Sequence, residues 1–390
     1  MITVDDALKH LFSLVTPLNS ETVPLKDAAG RVLAADAVAR RDQPPFAASA
    51  MDGYAVSGPA AHPGAQFDVI GEAAAGHGFA GHVRAGQAVR IFTGAPVPEG
   101  ADRVVIQEDV TRDGDRITLG DNLGDNTHIR PVGADFKTGD RITAPRVLRP
   151  ADIALLASMN IGAVTVSRKP QVALISTGDE LVMPGEDPGP DQIIASNTFG
   201  LKAMLDGIGA QARILPIARD TRASLEAAFD LARDADLVIT IGGASVGDHD
   251  LVGDVTESLG VKRAFYKVRM RPGKPLMAGR MGDAVMIGLP GNPVSAMVCG
   301  HVFVIPVIRA MLGLGAQRSS RLTARLAHDL PAGGPREHYM RAQVDGGAIT
   351  PASRQDSALL SVLADANALM IRPADDGPRK AGEMIEYLAV

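Results

Sequence analysis

The chain has 390 residues, and 39 lysines and arginines against 45 aspartates and glutamates leave a formal net charge of −6. That length divides into two or three domains, and a composition 46% hydrophobic and 22% charged excludes wholesale disorder. The acidic balance carries no overall footprint for nucleic acid, and a single cysteine, Cys299, excludes both an intramolecular disulfide framework and a multi-thiolate zinc site.

In chain order, residues 1 to 41 read as helical. Val4, Leu8, Leu11 and Leu14-Val15 recur at helical spacing, and Val32-Leu33 closes a second short element. The acidic residues 1–6 do not resemble the basic start of a signal peptide. Residues 42–138 are rich in glycine and proline, with short runs such as Phe67-Asp68-Val69-Ile70 and Arg103-Val104-Val105-Ile106, and predict an all-β unit. Helix returns over 139–169, where Pro150 offers a start, so 1–41 and 139–169 are expected to form one helical linker domain with the β-rich unit inserted into it.

From 170 to 318 strands and helices alternate, which implies a mostly parallel, layered sheet. The strands are expected at 172–176, 213–217, 237–241 and 284–289, and the helices at 197–205, 222–233 and from Val294. His301, Pro306 and Arg309 interrupt the apolar stretch 294–314. It therefore predicts a buried core helix broken at Pro306, with Cys299 as an inert packing residue, and no membrane span. Residues 319–390 return to short strands and predict a small C-terminal β-domain.

Ligands of open α/β sheets bind beyond the carboxyl ends of the strands. Three of these strands end in small or polar turns: Ser176-Thr177-Gly178-Asp179-Glu180, Gly242-Gly243-Ala244-Ser245-Val246-Gly247, and Pro290-Gly291-Asn292-Pro293. Glycines admit a close backbone approach and expose N–H groups, so three such turns in one domain point to a phosphate-bearing ligand. Gly207-Ile208-Gly209 has the spacing of a dinucleotide fingerprint but follows a helix and precedes a strand, the reverse of the required order.

Acidic residues gather at the same ends: Asp179, Glu180, Asp248 and Asp250, with Asp220 on a connection. Carboxylates beside a phosphate loop suit Mg2+, although Asp179 and Asp248 could equally cap helices. A basic run follows, Lys267, Arg269, Arg271 and Lys274, broken by Pro272-Gly273. Its alternation predicts one strand face carrying three cations, placed for an oxyanion or exposed on a solvated edge.

Six ordered segments together resemble the molybdopterin molybdenumtransferase family, which also includes the E domain of gephyrin. They are Ser49-Ala50-Met51-Asp52-Gly53-Tyr54-Ala55-Val56, Thr93-Gly94-Ala95-Pro96-Val97-Pro98, Ser176-Thr177-Gly178-Asp179-Glu180-Leu181, Gly242-Gly243-Ala244-Ser245-Val246-Gly247, Pro272-Gly273-Lys274-Pro275 and Leu289-Pro290-Gly291-Asn292-Pro293-Val294-Ser295. The resemblance implies a multidomain α/β plus β fold. Its parts would be a central three-layer α/β molybdopterin-binding domain, the inserted β-rich domain, the helical linker domain and the small C-terminal β-domain.

It also implies an activity: inserting molybdate into adenylylated molybdopterin, with Mg2+-dependent release of AMP. The enzyme would be a cytoplasmic homodimer whose cleft lies between the α/β domain of one subunit and the β-rich domain of the other. Molybdopterin adenylyltransferase and apo-molybdoenzymes would be its transient partners; nucleic acid and membrane would not. Carried over, Glu180, Asp220 and Asp250 match acidic positions, the last two serving Mg2+ or phosphate. Lys267, Arg271 and Lys274 match the basic set, and Asp52 and Thr93 the positions that reach in from the partner.

Ser176, Thr177, Gly178, Gly242, Gly243, Ser245, Gly247, Pro290, Gly291, Asn292 and Pro293 would shape the substrate pocket, with Arg341 and Ser357 lining an oxyanion site. Departures are small. Ala244 stands where valine is frequent, Arg271 where lysine is, and the usual leading glycine is missing before Asp356-Ser357-Ala358. Other readings are the preceding adenylyltransferase step, a non-enzymatic scaffold, and an oxidoreductase carrying its own molybdenum. The last lacks cluster-ligating cysteines.

Overall fold

The structure, a computed structural model, describes residues 1–243, 251–258 and 260–390. Its central sheet has the order Gln211–Ile214, Gln171–Ser176, Leu237–Ile241, Ala284–Leu289, Met277–Met281, Lys262–Tyr266; the first four strands are parallel. Leu237–Ile241 and Ala284–Leu289 are buried at every position, which is why both read as near-continuous apolar runs with Thr240 the one polar side chain.

Alternation along the strands assigns the two faces. Val172, Leu174, Leu237, Ile239, Val285 and Ile287 share one core with Leu201, Leu205 and the helix that begins at Pro293. Ala173, Ile175, Val238 and Met286 share the opposite core with Leu225 and Phe229. Helices thus cover both faces, giving three layers.

The Val4–Ser13 helix is capped by Thr3, whose side chain accepts from the Asp6 N–H at 3.1 Å. Its buried Val4, Ala7, Leu8 and Leu11 enter the first of these cores. The helix therefore packs with the central unit, not with 139–169 as the sequence suggests. Helical texture is also only part of the truth for 1–41 and 139–169. Ser20–Pro24, Ala163–Ser167, Val32–Leu33 and Arg146–Val147 pair into a four-stranded sheet, flanked by the helix Pro150–Ser158. Strands of two residues carry no period to read.

The β-rich region builds a six-stranded sheet in the order Arg103–Ile106, Gly53–Val56, Gln87–Ile91, Gln66–Ala73, Arg116–Leu119, Val110–Asp113. The C-terminal strands Glu337–Asp345, Ala348–Pro351, Leu322–Leu326, Met384–Ala389 and Ala368–Arg372 close on themselves, because Ala368–Arg372 also pairs with Glu337–Asp345. Met270–Arg271 joins this sheet in parallel, setting Arg271 opposite His338.

The expected break at Pro306 does not occur. Residues Pro293–Met311 form one helix of 19 residues, 78% buried over its most apolar window. A π-helical stretch, Gly300–Val304, precedes the proline. Proline lacks an N–H and its ring crowds the carbonyl four residues back, and a locally widened turn accommodates both. Length and composition alone would let this helix cross a membrane, but its burial marks a core helix.

Candidate active site

The three glycine-bearing turns end level with one another. Ser176 lies beside Ile241 and Ile241 beside Leu289. Beyond these residues the chains stay stitched: the Thr177 N–H donates to the Ile241 carbonyl at 3.0 Å, and the Gly242 N–H to the Leu289 carbonyl at 3.1 Å. A side chain at Gly242 has no room, since a Cβ there would stand 2.7 Å from the Thr177 carbonyl oxygen. The rim is therefore a backbone surface.

The turn after Pro290 opens directly into the long helix, whereas Gly178 leads into the short strand Leu181–Val182. Of these two, the former joins a strand end to a helix start, the arrangement that favours an anion. Among the described residues, two buried hydroxyls at the rim, Thr177 Oγ1 and Thr240 Oγ1, have no hydrogen-bond partner.

Glu180 and Asp220 are exposed beside this rim. The Glu180 carboxylate occupies the space a Cβ on Gly178 would need. The Asp179 carboxylate accepts from the Asp220 N–H at 3.1 Å, so Asp179 caps no helix. Arg219, which sequence reading missed, ties the loop together: its Nη1 donates to the carbonyls of Asp179 at 3.0 Å and Leu181 at 2.9 Å. Asn197 was missed too; its Nδ2 donates to the Gly291 carbonyl at 2.7 Å. Neither residue sits in a recognisable motif, although Arg219 directly precedes Asp220. Ser245, Gly247 and Asp250 lie outside the described residues.

The basic run is not one strand. Lys267 has φ +67°, which ends the extended backbone, and Val268 bridges Ile2. Only Met270–Arg271 pairs as a strand. Arg269 turns away to the Pro335 carbonyl and Asp375, each at 2.5 Å. Lys267 places its ammonium 5.0 Å from the centre of the Tyr266 ring, and Lys274 is exposed. Beneath the Pro272-Gly273 turn lies Cys299, whose thiol burial pushes well above its ordinary pKa.

The C-terminal domain reaches the rim through Ser357. Its hydroxyl accepts from Asn292 Nδ2 at 3.1 Å and its carbonyl from the Val294 N–H at 3.1 Å. Arg341 is fully buried. Its Nη2 donates to the carbonyls of Asp356 at 2.9 Å and Arg354 at 3.3 Å, while Nε and Nη1 have no partner. His338 is pushed down to about 4 by burial and then by the charges of Arg271, Arg341, Arg336 and Arg372, so it is neutral at pH 7.

Asp52 and Thr93 meet on the β-rich sheet. The Thr93 N–H and hydroxyl donate to Asp52 Oδ1 at 2.7 and 2.8 Å. These two bonds, in that order, hold the carboxyl below its ordinary pKa, with the charge of Arg90 adding to them. The pair contributes to stability above the unfolded-state pKa, and the contribution is lost as pH falls through the lowered folded value. In Thr93→Val the Asp52 carboxyl should titrate closer to its ordinary value, still held down by the remaining backbone N–H. Carboxyl NMR reads this directly, and an unmoved titration would show that the hydroxyl does not bind. Among the described residues no hydrogen bond or ion pair joins this pair to the strand-end rim.

Exposed carboxylate oxygen at Asp220 is the hard donor Mg2+ prefers, and that ion commonly takes only one or two carboxylates with water and phosphate oxygens. The donor set fits it, although no group of three potential ligands is assembled among the described residues.

Comparison with known proteins agrees with this geometry. Residues 2–160 match the MoeA N-terminal region (domains I and II), 173–310 a probable molybdopterin binding domain, and 323–390 the MoeA C-terminal region (domain IV). A molybdopterin molybdenumtransferase of Haemophilus influenzae is 39% identical, the alignment covering 80% of this chain and 78% of the relative. One from Nostoc is 36% identical over 96% of this chain and 90% of the relative. The crystal structure of a molybdopterin biosynthesis MoeA protein from Pyrococcus horikoshii superposes with a TM-score of 0.86 at 28% identity, covering 100% of both chains. With relatives this similar over most of their length, and all three regions present in order, the chain belongs to the molybdopterin molybdenumtransferase family.

Proposed function

We propose that this protein inserts molybdate into adenylylated molybdopterin and releases AMP, a late step of molybdenum cofactor assembly. The level glycine rim at Gly242 and Gly291, where the turn after Pro290 opens into the long helix, supports this reading best, since it admits the close approach of an anionic ligand in a chain of this family. Lys267, Arg271 and Lys274 bind the phosphates and molybdate. The two unpartnered guanidinium nitrogens of Arg341, Nε and Nη1, are free to donate to an oxyanion, and Ser357 bonds that end of the rim through Asn292.

Asp52 and Thr93 complete the site from the second subunit of a homodimer. Asp220 and, by the resemblance, Asp250 would hold Mg2+, which when bound polarises the phosphoanhydride and screens the charge on AMP. Cys299, buried with a raised thiol pKa, is no nucleophile. The protein works in the cytoplasm between molybdopterin adenylyltransferase and the apo-molybdoenzymes.

The test measures AMP release from adenylylated molybdopterin, with and without molybdate and Mg2+, alongside reconstitution of an apo-molybdoenzyme. Release that needs both ions, with an active acceptor, is the expected result. Consumption of ATP with molybdopterin to build the adenylylated form would replace it with the preceding step. Tight pterin binding without turnover would make the protein a scaffold.

A further inference from the structure

Arg90 stands opposite Tyr54 in the antiparallel pairing of Gly53–Val56 with Gln87–Ile91. Its guanidinium lies over two rings, 5.1 Å from the centre of Tyr54 and 4.7 Å from that of Phe92. Phe92 immediately precedes Thr93, and Tyr54 stands two residues beyond Asp52, so one guanidinium touches a neighbour of each member of the Asp52–Thr93 pair. Nη1 donates to the Gly53 carbonyl at 3.1 Å and Nη2 to Gln107 Oε1 at 2.6 Å. Gln107 closes the circuit, its backbone N–H donating to the Asp52 carbonyl at 3.0 Å. Among the described residues no carboxylate forms an ion pair with Arg90.

We infer that Arg90, braced by Gln107, is a positioning residue that sets the Asp52 carboxylate against the Thr93 hydroxyl in the geometry the reaction uses. The inference rests on the function proposed above. A planar fork is required, because two ring contacts and two N–H bonds from separate nitrogens are served at once; a lysine ammonium supplies the charge without the plane. Thr93 sits two residues past the end of its strand, where an unbraced turn would let the pair drift. Misplacement by about 1 Å of a group acting in a transition state lowers a rate by about a hundredfold.

The experiment compares wild type with Arg90→Met, Arg90→Lys and Gln107→Ala. It reads kcat and KM for AMP release, the acid limb of the rate, the Asp52 carboxyl titration by NMR, and the melting temperature. In Arg90→Met, kcat should fall by about thirtyfold or more with KM within about threefold, and the Asp52 titration should move up. Arg90→Lys should restore the titration toward wild type and leave kcat low, which a purely electrostatic or purely structural role would not do.

Gln107 is exposed, so Gln107→Ala keeps the fold even where Arg90→Met does not, and should lower kcat about threefold or more. Wild-type kcat in Gln107→Ala, full rescue by Arg90→Lys, or losses that track the unfolded fraction would each overturn the inference. A wild-type protein that releases no AMP would instead remove the proposed function. The Asp52 titration would still report whether Arg90 holds the pair.

Discussion

Arg341→Met should abolish molybdate-dependent AMP release, by about a hundredfold or more, while leaving the melting temperature unchanged or higher. The side chain is fully buried, and only Nη2 of its guanidinium is satisfied, by the carbonyls of Arg354 and Asp356. A buried donor without an acceptor costs about 1–3 kcal/mol, and Nε and Nη1 are two of them. Burial first, and then the charge of Arg271, disfavour the guanidinium; Asp356 opposes them. Methionine has comparable length and no polar hydrogens, so it fills the slot without those penalties, as replacement of buried charges by apolar residues often does. It also has nothing to offer an oxyanion, and removing a donor to developing charge typically lowers a rate by about a hundred- to a thousandfold. Calorimetry together with the AMP assay decides the matter. A large drop in melting temperature would make Arg341 a structural residue.

Gly242→Ala should cost about 2–4 kcal/mol of stability, whereas Gly291→Ala, on the neighbouring strand end, should cost less than about 1 kcal/mol. At Gly242 the backbone has φ +98°, a region L side chains rarely adopt, and the added carbon would meet the Thr177 carbonyl oxygen at 2.7 Å and its Oγ1 at 2.9 Å. The obstacle is backbone already bonded to Ile241, so it cannot swing aside. A Cβ at Gly291 would meet nothing nearer than the Gly242 Cα at 3.6 Å, an ordinary contact. It would project onto the open rim, so Gly291→Ala should fold normally and raise KM for the pterin substrate. Urea unfolding of the two variants separates these outcomes. Equal losses would mean that the rim is not held as tightly as its hydrogen bonds imply.

The buried parallel strands were the most legible part of the chain. Leu237–Ile241 and Ala284–Leu289 match the expected residues, because burial on both faces leaves Thr240 as the single polar side chain in either. The second strand, expected at 213–217, is observed at Gln211–Ile214, since its first residue is exposed and adds nothing apolar to read. Strands such as Val32–Leu33 and Arg146–Val147 owe their existence to the partner across the sheet, which no local window contains. At the site, the strand ends and the separate turns that carry Asp52 and Thr93 were visible as motifs, whereas the contact between those two residues was not. Arg219 and Asn197 were not, since what they hold is backbone from elsewhere in the chain. The alternating lysine and arginines misled for a related reason. Val268 bridges Ile2 and Arg271 pairs beside His338, and neither partner is near in sequence.

The helix Val4–Ser13 carries a consequence for how the protein comes to be made. Its apolar face belongs to a core whose other walls include the Lys262–Tyr266 strand and Val307, Ile308 and Met311 of the long helix. A ribosome delivers the first helix long before those walls exist. Until they emerge, Leu8 and Leu11 have only water or a chaperone to face, and an isolated helix of ten residues is marginal by itself. The N-terminal segment must therefore wait, unlike a domain that folds as it is synthesised, and its docking is a late, long-range event. Because the same helix wall opens at Pro293 on the strand-end rim, the site is finished only when the beginning of the chain has found its place.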